Sequence, residues 1–117
     1  MPSNNKTTSK SIQLKKLNPD SYRFWVSAVK STLQIHNLLD IVLAHELKPT
    51  PPADGNITPT LRKTITRWET RHALAHEALI NALDDTVLIK VHQLETANEI
   101  WDRLATELGT SSDLKYT

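Results

Sequence analysis

The 117 residues contain no cysteine, which removes disulfides and thiolate metal sites and leaves the redox compartment open. Glycine occurs only twice, so the glycine-rich loops that bring backbone close to a phosphate are missing. With 38% hydrophobic residues, that scarcity points to a helix-rich domain rather than a β-sandwich or barrel. No apolar run approaches the roughly 18 residues of a membrane span; the longest, around 38–44, is broken by Asp40. The N-terminus is rich in Ser, Thr, Asn and Lys and has no hydrophobic core of a secretory signal, so an intracellular protein is expected. No G-x-S-x-G or H-E-x-x-H motif occurs. An enzyme is therefore not expected, and no cofactor, small-molecule substrate or membrane partner is implied.

An excess of charge of either sign is also missing: 14 Lys/Arg against 13 Asp/Glu leave a net charge of +1. Residues 1–60 carry seven Lys/Arg against four Asp/Glu, and residues 61–117 carry seven against nine. Lys6, Lys10, Lys15 and Lys16 stand in the first nineteen residues without an acid. They form a small basic arm, either a solvated tail or a segment touching RNA or a partner. A typical nucleic-acid domain is far more basic.

What the chain does have is helical periodicity. From Thr58 to Asp84, Leu61, Ile65, Trp68, Ala75, Leu79 and Ala82 recur at steps that line one face, with His72 filling the gap. Thr58 is an N-cap and Pro59 occupies the first helical position, where its missing N–H is not needed. Some 25 residues give a rod of roughly 37 Å, around which shorter elements must pack. Arg62, Lys63, Arg67 and Arg71 fall on the side predicted to stay exposed.

The remaining elements have their own signals. Residues 1–11 lack apolar content and read as a flexible arm. Asn18-Pro19-Asp20 is a helix start, with Leu17 and Tyr22 placed as a hydrophobic staple. The spacing predicts a first helix over 19–36 with Tyr22, Trp25, Val26, Val29 and Leu33 facing inward. Asn37 is read as the cap of a second helix over 38–47, apolar almost all round. The proline-rich stretch 48–57 is a loop, either a connector or a partner-facing segment. Asp84 and Asp85 open a short helix through T-V-L-I-K-V; β propensity argues for a strand there, but no partner strand is in sight. Thr96-x-x-Glu99 is a capping box, followed by Ile100, Trp101, Leu104 and Leu108, with Gly109 as the expected stop. Residues 110–117 resemble the opening of a further helix and suggest a fragment or truncated reading frame. The expectation is an all-α bundle of about five helices over 12–109. Its core is expected to include Tyr22, Trp25, Val29, Leu33, Leu61, Ile65, Trp68, Leu79, Ile100, Trp101 and Leu104.

His72 and His76 stand four apart on the long helix, a spacing that lets two imidazoles share a metal. A structural histidine on a core stripe is the plainer account, and no metal site is expected. Asp84 and Asp85 diverge as neighbours and suit capping better than acid–base chemistry. The three tryptophans are read as core, able to meet in one cluster from facing helices, and their spacing is too wide for Myb-type repeats.

The order of these motifs resembles Gag polyproteins of copia-type LTR retrotransposons. Leu17 to Trp25 is similar to that family's L-x-x-x-N-Y-x-x-W opening. Trp68, His72 and Ala75 match its W-x-x-x-D-x-x-A helix, with His where Asp is frequent, and Ile80, Leu83 and Asp85 resemble its I-x-x-x-L-x-D step with one residue fewer between Ile and Leu. Thr96 to Leu104 matches its T-A-x-E-x-W-D-x-L helix. The resemblance covers residues 14–108 or so. It implies an all-α, capsid N-terminal-like domain that self-associates into virus-like particles around element RNA, in the cytoplasm or the nucleus. Partners would be copies of itself or other Gag chains, with RNA held weakly, since the family's C-x-x-C-x-x-x-x-H-x-x-x-x-C zinc knuckle does not occur in these residues. Two further readings follow: a domesticated or truncated Gag-derived protein that modulates assembly of other Gag chains, and an RNA-binding module using the basic arm.

Overall fold

The computed structural model describes residues 12–109; the arm 1–11, with Lys6 and Lys10, and the tail 110–117 lie outside them. The described residues form an all-α domain without a strand. A 3₁₀ turn, Pro19–Ser21, leads into α1 (Tyr22–Ile35). Then come α2 (Leu39–Val42), α3 (Pro59–Asn81), α4 (Asp85–Val91) and α5 (Ala97–Leu104), and a π-helical turn, Ala105–Gly109, extends α5.

The starts follow local chemistry. Asn18, Thr58, Asp84 and Thr96 each accept a backbone N–H of the first turn they cap. At α5 the box is complete: Glu99 N–H donates to Thr96 Oγ1, and the Thr96 and Glu95 amides donate to the Glu99 carboxylate. These bonds hold Glu99 below the ordinary carboxylate range, chiefly through the Thr96 amide. Asp84 is lowered similarly, by the Thr86 hydroxyl first and then the Val87 amide.

The core runs through the middle of the bundle. Trp25, Val29 and Leu33 of α1, Leu79 of α3, and Ile100 and Leu104 of α5 are buried together with Leu38, Val42 and Val91. Trp25 lies 5.9 Å from Trp101 and 6.1 Å from Tyr22 between ring centroids, in the range where aromatic pairs attract. The Trp25 indole N–H donates to the Lys15 carbonyl at 2.6 Å. Leu17 N–H reaches the Ala82 carbonyl at 2.8 Å, so residues 12–17 form a strap across α1 and the end of α3. Burial raises the Tyr22 hydroxyl pKa, with Asp102 adding to the effect.

Several expectations are corrected. Leu61, Ile65 and Trp68 are only partly buried and stand outside the core cluster, because the first half of α3 projects past the short α2. Trp68 therefore does not join Trp25 and Trp101. The second helix has four residues rather than ten. Asn37 does not cap it: at φ 63° it ends α1, with its N–H on the Gln34 carbonyl and the Leu38 N–H on the Leu33 carbonyl. This is a Schellman motif, and Leu33 and Leu38 supply its buried apolar contact. The same motif recurs at Ala44 (φ 63°), where the Ala44 and His45 amides meet the Ile41 and Asp40 carbonyls. That turn ends α2 and leaves Leu47 exposed. Gly109 is no left-handed stop; it closes the π turn, where a Cβ would come 3.3 Å from the Tyr22 ring.

Candidate functional site

The densest polar organisation lies where the middle of α3 meets the segment after α2 and the start of α5. Trp68, Arg71 and His72 share that side of α3 by helical spacing. The Trp68 indole N–H donates to the Glu46 carbonyl at 3.0 Å. Arg71 forks onto the Glu46 carboxylate at 2.6 and 2.9 Å, and its guanidinium also donates to the Asn37 carbonyl. One arginine thus ties down both the turn that ends α1 and the segment after α2. The Arg71 hydrogen bond holds the Glu46 carboxyl below its ordinary pKa. Arg71 is not the free surface cation that periodicity predicts, since its side chain is only 17% exposed. Lys48 and Glu69 add an exposed ion pair at 3.0 Å.

His72 sits behind this clamp. Its ring lies 4.9 Å from the Trp68 ring at 5° between planes, and 6.1 Å from His76. Its Nε2 accepts the Ala97 N–H at 3.0 Å. Ala97 is the first residue of α5, whose amide has no partner within its own helix. A histidine of α3 therefore completes the cap of α5. Nε2 can accept only when it carries no proton, so the ring is neutral with its proton on Nδ1. Desolvation lowers the His72 pKa, and His76 lowers it further. The His76 Nε2 is 3.4 Å from the Leu94 carbonyl. Among the described residues no three His, Asp or Glu side chains group closely enough to hold a metal ion.

Asn98 extends the junction, donating from Nδ2 to the Val42 carbonyl at 2.8 Å. Between these ties lies a cleft of about 240 Å³ lined by Ile41, Ala44, Leu47, Trp68 and His72, with Glu46, Lys48, Thr96 and Asn98 on its polar side. Sequence reasoning marked Trp68 and His72 for the core and missed Glu46, Ala97 and Asn98 as their partners. The partners lie 22 to 25 residues away for Glu46 and Ala97, and 56 for the Asn98–Val42 tie. No local pattern encodes those pairings.

Two other surfaces matter. On α1, Phe24 and Ile35 are 75% and 81% exposed, on the side opposite Trp25 and Leu33. Ala28 and Ser31 stand between them on the same face by helical spacing. Of the basic arm, Lys15 and Lys16 are described and exposed, but the Lys16 ammonium donates to the Asn81 carbonyl at 2.7 Å. There it serves the negative end of α3. No described helix is long and apolar enough to cross a membrane.

Comparison of the chain with protein-family models, with curated proteins and with solved structures finds no match to any of them.

Proposed function

We propose that the chain is a Gag-type structural protein of a copia-type LTR retrotransposon, a capsid N-terminal-like domain that acts by self-association rather than catalysis. The observation that carries this reading is the ordered set of four motifs from Leu17 to Leu104. It is supported by the way motif residues far apart in sequence, Tyr22, Trp25 and Trp101, serve one aromatic cluster in an all-α domain. The reading assigns the contacts to exposed faces: the outer side of α1, with Phe24 and Ile35, and the proline-rich segment 48–57. Individually weak contacts of this kind, repeated under closed symmetry, produce a ring or shell. Copies of the chain, or other Gag chains, are the partners, with element RNA enclosed in a cytoplasmic particle, the nucleus being the alternative location.

Analytical ultracentrifugation and electron microscopy across protein and salt concentrations test this. Concentration-dependent oligomers or particles are expected, weakened in Phe24→Asp and Ile35→Asp variants that retain the helical circular-dichroism spectrum. A monomer at every concentration and salt condition would rule out autonomous assembly.

A further inference from the structure

The His72–Ala97 contact has an unusual dependence on charge state. Most tertiary caps use a carboxylate, hydroxyl or carbonyl, which still accept at mildly acidic pH. Here the acceptor is an imidazole nitrogen, and it faces the start of α5, where the helix macrodipole is positive. Adding a proton to Nε2 replaces an N–H···N bond with two opposed N–H groups and puts a cation at that positive end.

We propose that His72 is a pH-sensitive latch: neutral, it holds the first turn of α5 onto α3, and protonated, it releases that turn and opens the cleft between them.

The surroundings decide whether the imidazolium could be accommodated in place. On α3 itself the nearest titratable ring is His76, at 6.1 Å between centroids, and Glu69 is paired with Lys48. From the segment after α2, Glu46 and Lys48 line the same cleft, but the Glu46 carboxylate is already forked by Arg71. From the α5 side, the Glu99 carboxylate is occupied by the amides of Glu95 and Thr96. Each of these three carboxylates therefore has a cation or amide of its own. Only Trp68 favours a charged ring, through cation–π attraction. Desolvation, and then His76, act the other way and lower the His72 pKa. Trp68 still has a consequence: it gives the imidazolium a reason to stay on α3, so α5 is the part that leaves. The tie from Asn98 to the Val42 carbonyl is then the next contact strained.

The direction in pH follows. With the histidine pKa lower in the latched state than in the open state, opening becomes easier as pH falls below about 6.5 and levels off below the latched pKa. Within that window the opening constant rises by up to about tenfold per pH unit. The latch does not depend on the proposed Gag function, and its test reads the domain alone.

The test is NMR on the full chain between about pH 7.5 and pH 5. At the upper pH the His72 Nε2 is expected to show the downfield ¹⁵N shift of an unprotonated nitrogen. The hydrogen-exchange protection factor of the Ala97 amide is expected to fall by up to about tenfold per pH unit through the window. His72→Gln should abolish that dependence and His76→Gln should keep it. A proton on Nε2 at the upper pH, or an equal fall in His72→Gln, overturns the proposal. If His72→Gln does not fold, the ring-nitrogen shift and the Ala97 protection profile of the wild type decide the matter.

Discussion

Ala44 is a non-glycine residue in the left-handed region (φ 63°), and replacing it with glycine should stabilise the domain. The turn around it cannot change conformation cheaply. The His45 and Glu46 amides both donate to the Asp40 carbonyl, and Arg71 with the Trp68 indole holds Glu46 from the other side. Crowding of a Cβ in this conformation costs about 1–2 kcal/mol. Glycine removes that cost but brings a more disordered unfolded chain, which returns about 0.5–1 kcal/mol. The net gain expected for Ala44→Gly is about 0.5–1 kcal/mol, or roughly 2–6 °C in Tm for a domain of this size. Asn37 provides an internal comparison, because it takes the same φ in the same motif but tolerates it better. Asn37→Gly should gain less than Ala44→Gly, and Asn37→Ala should lose about 1 kcal/mol. Urea denaturation at fixed pH measures all three, with equal m-values as the check that only stability has changed. A loss of stability in Ala44→Gly, or a larger gain in Asn37→Gly, would refute the reasoning.

Arg71→Ala should cost about 1–3 kcal/mol, since it frees the Glu46 carboxylate and the Asn37 carbonyl together; a urea midpoint within error of wild type would contradict the clamp. Leu79→Ala, at a fully buried site, should cost about 2–5 kcal/mol, whereas Ile65→Ala on the projecting half of the same helix should cost about 1 kcal/mol or less. Equal losses would return Ile65 to the core. Stability should fall in two stages on acidification. His72, whose folded pKa is depressed, contributes stability that is complete above the unfolded value of 6.5 and is lost as pH drops below it. Glu46, Asp84 and Glu99 contribute stability that is complete above their unfolded values near 4 and is lost as pH falls toward their depressed folded values. Urea midpoints across pH check this, and a flat profile between about pH 7 and pH 5.5 would remove the first stage.

Helix starts were the most legible part of the chain because a cap is a local bargain between a side chain and amides two or three residues on. Asn18, Thr58, Asp84 and the Thr96–Glu99 box all make the bonds their spacing predicts. Helix ends were less legible. Asn37 is as plausible a cap as a C-terminal stop when read from sequence, and nothing marks Ala44 as left-handed; Arg71 and Trp68, from another helix, hold that segment in place. The inward register of α3 was legible only where neighbours exist to be inward of. Leu79 and Ala75 meet α1 and α5 core residues, while Leu61 and Ile65 have the same periodicity and too few neighbours to bury them. Periodicity reports which residues share a face, and the length of the opposing elements decides how much of that face is covered.

Two parts of α3 therefore hold the domain together by different physics. Its C-terminal half is held by close-packed apolar contacts, Ala75, Ala78 and Leu79, which respond little to pH or salt. Its middle, from Trp68 to His72, is held by directional polar contacts: Trp68 and Arg71 on Glu46, Arg71 on the Asn37 carbonyl, and His72 on Ala97. Local opening starts where buried apolar contacts are few, which places the low-stability end of the domain at the projecting half of α3 and the first turn of α5. The inner side of α1, with Trp25, Val29 and Leu33, belongs instead to the apolar core. A contact made through Phe24 and Ile35 would thus keep its geometry while the His72 junction opens. Acidification that releases the Ala97 amide should consequently leave association through α1 intact, and a joint loss of both at the same pH would mean that the two parts are one cooperative unit.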